Sequence, residues 1–309
     1  MNRYLAAYDL HLHTYYSYDA CAAPSYYFEL ASQLGLRAIA ITDHHNFDVL
    51  PELRETARRF PDVGFFTGAE LTCSTPWGDM DFVCLGLPWE PTEKLRQLQD
   101  TLHRYQWDMG DGFSAIAARL GGEYTREERR KLLLGYRPER VVELQGITHV
   151  RNEIQMDYWI SKGFVPSREA IREALNGPET HYRDLLPSPP GADEVSRIVH
   201  EAGGVMLIAH PTAYFLGKNL TRIEAVREFS NFDGIECAHP GTAPENGRFW
   251  RSYCERNKLL SSGGTDMHSD AAREALQLSP DRSFAEHLGD ECWLDELCER
   301  VPLYYGRDL

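Results

Sequence analysis

Residues 37–45 read RAIAITDHH, and the order of those nine residues decides the fold. RAIAIT is short, β-branched and mostly apolar, the composition of a strand buried in a parallel sheet. Asp43, His44 and His45 follow at once, so polar residues begin where the strand leaves the sheet. The same unit recurs outward in both directions. A strand over Leu5–Leu10 runs into His11 and His13, with Asp19 shortly after. GFFTGAEL (64–71) carries Glu70, GVMLIAHP (204–211) ends in His210, GIECAHP (234–240) in His239, and LLSSGGTD (259–266) in Asp266 with His268 just beyond. DFVCLGL (81–87) is a further strand with no His at its end.

Helical patterns separate these strands. PSYYFELASQLG (24–35) has Pro24 early and Gly35 just past its end, and further helices fall over 49–60, 194–203 and 222–230. Thr221 with Glu224 forms a capping-box pattern at the start of the last of these. The alternation predicts an α/β chain, a barrel of seven or eight parallel strands. Between about 92 and 203 the rhythm breaks. TREERRKLLLGY (125–136), RNEIQMDYWISKGF (151–164) and SREAIREAL (167–175) show helical spacing, and the Pro-rich LPSPPGAD (186–193) reads as the link back. The expected organisation is a barrel domain from 1–102 and 191–309, with 103–190 a helical insertion subdomain acting as a lid.

The bulk composition fits a soluble enzyme. Of 309 residues, 42% are hydrophobic and 26% charged, and no apolar run approaches the roughly 18 residues of a membrane span. The polar start, MNRYLAAYDLHLHT, does not read as a signal peptide, so a cytoplasmic location is the expectation. Seven scattered cysteines without a CxxC pair argue against a disulfide framework or a structural zinc site. A net charge of −15 disfavours a surface that tracks an extended nucleic acid, and leaves a small anionic substrate or just the end of a strand easier to accommodate.

Barrel enzymes assemble their sites from loops at the C-terminal ends of the strands, where these His and acidic residues fall. Period-two geometry turns His11 and His13 to the same side, so both can reach one ion. A single His near a strand end is usually an ordinary loop residue, but six strand ends finishing in ligand types are a metal site. Mixed imidazole and carboxylate ligands suit Mn²⁺, Fe²⁺ or Zn²⁺, and they are too many for one ion. Two ions bridged by a carboxylate would lie about 3.5–4 Å apart. A water bound to such ions ionises near neutral pH and can act as a hydroxide nucleophile, with His239 and His149 candidates to protonate the leaving group.

DLHLHTYYSYDA (9–20), AITDHH (40–45), GAEL (68–71), LIAHP (207–211) and GGTDMHS (263–269) together resemble the motifs of the PHP family, named for polymerase and histidinol phosphatase. The resemblance runs from about residue 8 to 270 and implies a distorted (β/α)7 barrel of seven parallel strands with two or three divalent ions. It implies that His11, His13, Glu70 and Asp266 hold one ion. Asp19, His44 and His268 would hold another, and Glu70 with His210 would serve a further position. GITHVRNEIQMDYWISKGFVPSREAIREAL (146–175) is similar to the insertion of small phosphoesterases of that family, which dephosphorylate nucleotides or trim RNA from its 5′ end.

The departures from the pattern concern substrate and the third ion. Ile147 and Thr148 precede His149 where the subgroup has a phosphate-holding Arg, and Ala213 precedes Tyr214 where a second Arg is common. Arg151, Lys218 or Arg222 are the available substitutes, so the expected substrate contacts are His149, Arg151, Tyr214 and His239. DFVCLGL lacks the usual His ligand, leaving Asp81 as its replacement or the third ion weak, and His45 stands where Asp or Asn is usual. The sequence reads first as a metal-dependent phosphomonoesterase acting on nucleotides or other small anions. A 5′–3′ exonuclease using the same ions is the nearest rival. A C–N hydrolase of the amidohydrolase kind would carry a Lys at a strand end, and no Lys stands at one here; a degenerate, non-catalytic copy would have lost ligands.

Overall fold

The computed structural model describes residues 5–177, 180–215, 218–269 and 283–309. Strands β1 (Tyr8–Leu12), β2 (Ala38–Ile41), β3 (Gly64–Cys73), β4 (Met80–Leu85), β5 (Val205–Ile208), β6 (Gly234–Ala238) and β7 (Leu260–Gly263) lie side by side in chain order. The sheet curls until its outer strands meet: Leu12 bridges to Met267, His13 N–H donates to Met267 O at 2.9 Å, and Asp266 N–H to His11 O at 2.8 Å. A short strand β8 (Tyr304–Tyr305) adds antiparallel to the start of β3. The nearly closed barrel agrees with the expected fold.

One expectation fails. The seven strands are not all parallel, because β4 runs antiparallel to both β3 and β5. The cause is connection length. Only residues 74–79 join β3 to β4, and a parallel crossover needs a dozen or more. A hairpin is the only way back.

Two apolar layers follow from strand periodicity. Inside the barrel, Tyr8, Leu10, Ala38, Ala40, Phe66, Val83, Leu85, Val205, Leu207 and Leu260 form one core. Leu294 and Leu297 of helix α11 (Glu291–Cys298), with Val301 behind them, complete that core and seal the end of the barrel where the strands begin. Outside, Ile39, Ile41, Phe65, Phe82, Ile208 and Ile235 pack against surrounding helices. These are α1 (Pro24–Leu34), α2 (Leu50–Arg59), α8 (Ala192–Glu201), α9 (Leu220–Ser230) and α10 (Pro244–Asn257). The first turn of α9 is capped by Asn219, whose side chain accepts from Arg222 N–H, and not by the expected Thr221. Asn is as good a cap as Thr and sits two residues earlier.

Between β4 and β5 the chain builds α3 (Glu93–Arg119), α4 (Arg126–Leu134), α5 (Glu139–Gln145), α6 (Asn152–Ser161) and α7 (Arg168–Asn176). α3 is one continuous helix across residue 102. Its first half puts Leu95, Leu98 and Leu102 into the outer barrel core, and its second half puts Phe113, Ile116 and Ala117 against Trp159, Val165 and Ile171. α4 opens on a complete capping box between Thr125 and Glu128.

Candidate metal centre

The site lies at the barrel end opposite α11, and a fault in β1 aims its first two ligands. Asp9 pairs with Ile39 and Leu12 with Ile41, so β1 spends one residue more than β2 over the same span. Such a bulge reverses the alternation of side chains. Tyr8 and Leu10 therefore point into the barrel core below it, whereas beyond it Leu12 points out and His11 and His13 point in. The end of β7 approaches closely here. A Cβ on Gly264 would stand 2.3 Å from His11 Cβ, so only glycine fits.

Around Glu70, ligand atoms converge. Glu70 Oε2 lies 3.1 Å from His11 Nε2, 3.2 Å from His13 Nε2 and 3.2 Å from His44 Nδ1, while Oε1 lies 3.1 Å from His210 Nε2. Asp266 Oδ1 is 3.1 Å from His13 Nε2 and 3.6 Å from His11 Nε2. Asp19 Oδ2 is 3.3 Å from His268 Nε2 and 3.6 Å from His44 Nε2. Three sets of ligand atoms fall within 4.8 Å of one another: His11, His13, Glu70 and Asp266; His13, His44 and His268; Glu70, Asp81 and His210. Glu70 and His13 are each shared by two of the sets.

The residues present fit divalent cations. His11 Nε2, His13 Nε2, His44 Nδ1 and Glu70 Oε2 are all buried without an aligned hydrogen bond. An unsatisfied buried polar atom costs about 1–3 kcal/mol, and one cation among these atoms would satisfy several at once. The other ring nitrogens fix the tautomers that this requires. His11 Nδ1 is 3.0 Å from Glu236 Oε1, His13 Nδ1 is 3.1 Å from Ser17 Oγ, and His268 Nδ1 is 2.8 Å from Asp266 O. Each Nδ1 therefore carries the proton and donates it, leaving the Nε2 lone pair to face the carboxylates.

The electrostatics point the same way. Burial alone would raise the carboxyls, but His11 and His44 hold Glu70 well below the usual range, and His268 and His11 do so for Asp266. Asp19 is lowered likewise by His268 and His44. Burial opposes protonation of the imidazoles, yet His13 is raised to about 9 by Asp266 and Glu70, and His210 to about 9 chiefly by Glu70. The carboxylates demand positive charge, and protons supply it unless a metal ion does.

With this geometry in hand, comparison with known proteins is decisive on family. The PHP domain family model matches residues 9–285. This chain belongs to the PHP family. It is 22% identical over 278 residues to the 5′–3′ exoribonuclease Rnm of Escherichia coli (strain K12), covering 86% of each chain. It is 25% identical over 280 residues to a 3′,5′-nucleoside bisphosphate phosphatase of Chromobacterium violaceum, covering 86% of this chain and 88% of that one. An amidohydrolase from Chromobacterium violaceum, solved with bound sulfate, superimposes with a TM-score of 0.70 at 20% identity over 98% of this chain and 99% of that one, a likeness of fold.

The remaining predicted residues of this PHP chain fall into two groups. Arg151, Asp81, Thr72 and Tyr18 join Asp19, His44, Glu70, His210, Asp266 and His268 in lining a cleft of about 390 Å³. Tyr214 touches the same place through its hydroxyl, which donates to Asp81 Oδ2 at 2.6 Å. His239 is not on this cleft's wall but lines a neighbouring one with Pro240, Arg248 and Arg251, and its Nε2 lies 3.5 Å from Asp266 Oδ2. His149 is not on the cleft wall. It is 3% exposed, its ring centroid lies 3.7 Å from that of Tyr18, and burial pushes its pKa down to about 3. Of the other basic residues, Arg222 donates to Trp77 O at 2.8 Å and Lys218 lies over the Phe249 ring at 5.2 Å. His45 stands at φ 58°, buried, with Nε2 3.4 Å from Thr72 Oγ1.

Three further carboxylates hold this site, of which the sequence pointed to Asp43 at the end of β2 but not to Glu236 or Asp9. Glu236 bonds His11 Nδ1 with one oxygen and accepts His210 N–H with the other at 2.7 Å. Asp43 accepts from Thr14 N–H at 2.6 Å, Thr14 Oγ1 at 2.8 Å and Ser17 Oγ at 3.1 Å. Asp9 accepts from Thr265 N–H at 3.0 Å and its hydroxyl at 2.6 Å, tying β1 to the loop after β7. The available signal was a carboxylate inside an otherwise apolar strand, YDL or GIEC, which has to meet a donor or a cation.

Proposed function

We propose that this protein is a metal-dependent phosphoesterase that hydrolyses phosphomonoesters of nucleotides or other small anions. The observation that carries the reading is the convergence of unsatisfied imidazole nitrogens and ionised carboxylates on Glu70, at the floor of a cleft that also presents Arg151. His11, His13, Glu70 and Asp266 would hold one ion, Asp19, His44 and His268 a second, and Glu70, Asp81 and His210 a weaker third. Mn²⁺, Fe²⁺ or Zn²⁺ suits such ligands. Bound there, divalent ions supply Lewis acidity: they activate water at neutral pH and offset negative charge on the phosphoryl oxygens.

The chain's own groups supply the rest. Arg151, on the cleft wall, meets a substrate phosphate as a charge-assisted donor. Gly241 N–H donates to His239 Nδ1 at 2.9 Å, so the neutral ring carries its proton on Nε2, on the side of Asp266. That makes His239 a donor and not a ligand, suited to protonating a leaving alkoxide. His149, neutral and packed behind Tyr18, supports the cleft wall; the proton-donor role is assigned to His239 alone.

A second reading, trimming of RNA or DNA from the 5′ end, is favoured by the name of the Escherichia coli relative. Release of inorganic phosphate from a panel of nucleotides, beside release of mononucleotides from 5′-phosphorylated oligonucleotides, separates the two. Chelation and His13→Ala should each lower both activities by several orders of magnitude while the circular dichroism stays native. Full activity in either sample would overturn the metal-dependent reading.

A further inference from the structure

The loop from Thr14 to Asp19 leaves β1 and delivers Asp19 to the cleft, and its outer side is gripped by the helical stretch between β4 and β5. Four of its backbone carbonyls accept from side chains of residues 136–151. Arg137 Nε donates to Tyr15 O at 2.8 Å, and Tyr136 Oη donates to Tyr18 O. Gln145 Nε2 donates to Tyr16 O at 3.0 Å, and Arg151 Nη1 to Asp19 O at 2.8 Å. From α3, Gln106 Nε2 reaches His44 O at 3.5 Å. The apolar counterpart is a small core in which Leu133, Tyr136, Val142 and Val150 close over Cys21, two residues beyond Asp19.

We infer that this stretch sets the geometry of one metal position, the one served by Asp19, His44 and His268, and that Arg137 is its principal positioning residue. The inference rests on the cluster being a metal site. Its asymmetry is the argument. Asp19 is held through its carbonyl by Arg151, and the carbonyls of Tyr15, Tyr16 and Tyr18 before it by Arg137, Gln145 and Tyr136, all from outside the barrel. His11 is oriented from within it by Glu236, and His13 by Ser17, which belongs to the same loop but is anchored on Asp43 at the end of β2. Arg137 is 3% exposed, and its guanidinium spans several acceptors at once: Tyr15 O, Tyr16 O at 3.4 Å, Thr148 Oγ1 at 3.4 Å and Gln145 Oε1. A planar fork can hold two successive carbonyls and an amide in fixed relation, which a lysine cannot. Ser17 keeps its bond to Asp43 when that grip is loosened, so Asp19, two residues further on, is freed before His13 is disturbed.

The test is Mn²⁺ titration by calorimetry on full-length wild type, Arg137→Lys, Arg137→Met and Arg137→Ala, with metal content after dialysis and circular dichroism on each. Wild type should bind at least two ions. The variants should keep the tighter ion unchanged within about twofold and bind the second about ten- to a hundredfold more weakly, the range seen when groups orienting metal ligands are lost. Guanidinium salt should restore the second ion to Arg137→Ala. Arg140→Ala, which removes contacts to the Tyr15 and Tyr16 side chains and none to the loop's carbonyls among the described residues, should match wild type. Variants that hold both ions as tightly as wild type, or that weaken both equally with native dichroism, would overturn the positioning role. Wild type that binds no Mn²⁺ would overturn the metal reading itself and this inference with it. Should Arg137→Met fail to fold, the lysine variant and the guanidinium rescue decide the question.

Discussion

His13 and His149 are both buried in the same quarter of the molecule, and they shift in opposite directions. His13 and His210 rise to about 9 among carboxylates, whereas His149 falls to about 3 among aromatic and apolar neighbours. A raised folded pKa lends stability that is complete below the unfolded value near 6.5 and disappears as pH climbs through about 9. A lowered one costs stability as pH falls from about 6.5, because the unfolded chain then takes up a proton that the folded chain refuses. On this accounting each raised group is worth about 3 kcal/mol and the lowered His149 costs about 5 kcal/mol. The metal-free protein should therefore be most stable near neutrality and weaken on both sides. Mn²⁺ should remove the alkaline loss, since the ions replace the protons. Urea midpoints at three pH values, with and without chelator, check this; a flat alkaline limb in the chelated protein would mean that the carboxylates are compensated by other charges.

At the scale of elements, the barrel depends on a helix far along the chain. Leu297 of α11 is fully buried among the inner strand residues, so Leu297→Ala should cost about 2–5 kcal/mol, read as a lowered urea midpoint. Metal binding should be unaffected, because the cavity opens at the end remote from Glu70; lost affinity would show that the two ends are coupled. The strands and their ligands were legible because each is a short apolar run stopped by a polar residue. The antiparallel β4 was legible too, had the length of residues 74–79 been weighed against a crossover. The bulge in β1 was not, since DLHLHT contains both phases of alternation and only pairing with β2 selects the break. Arg137 was hidden for a different reason. In GYRPER (135–140) nothing about an Arg set among Pro, Glu and Arg signals burial, which arises from the docking of α4 and α5 on the Tyr15–Asp19 loop.

For the whole molecule, charge and shape bear on what the cleft accepts. With a net charge of −15, cationic help for a second phosphate has to be local. Ile147 and Ala213 carry none, Lys218 and Arg222 are engaged elsewhere, and Arg151, though on the cleft wall, already pairs with Glu153 and donates to Asp19 O. A charge-assisted contact to phosphate is worth roughly 1.5–3 kcal/mol, so two lost contacts should erase about a hundredfold or more of discrimination. Adenosine 3′,5′-bisphosphate should then be preferred over adenosine monophosphate only slightly in kcat/KM. A ratio above about a hundred would show that Arg151 or another basic residue has taken over the lost contacts.

The sealing of the barrel by α11 also has a consequence for biosynthesis. A ribosome releases β1 through β7 before it releases Leu294, Leu297 and Val301. Until those residues emerge, Tyr8, Leu10, Phe66 and Leu207 face an interior with no floor, and water enters it. The nascent chain thus passes through a stage with its strands available and their inner faces wet, the condition in which α/β chains engage chaperones or aggregate. Closure is a late event, tied to a helix that touches none of the ligands.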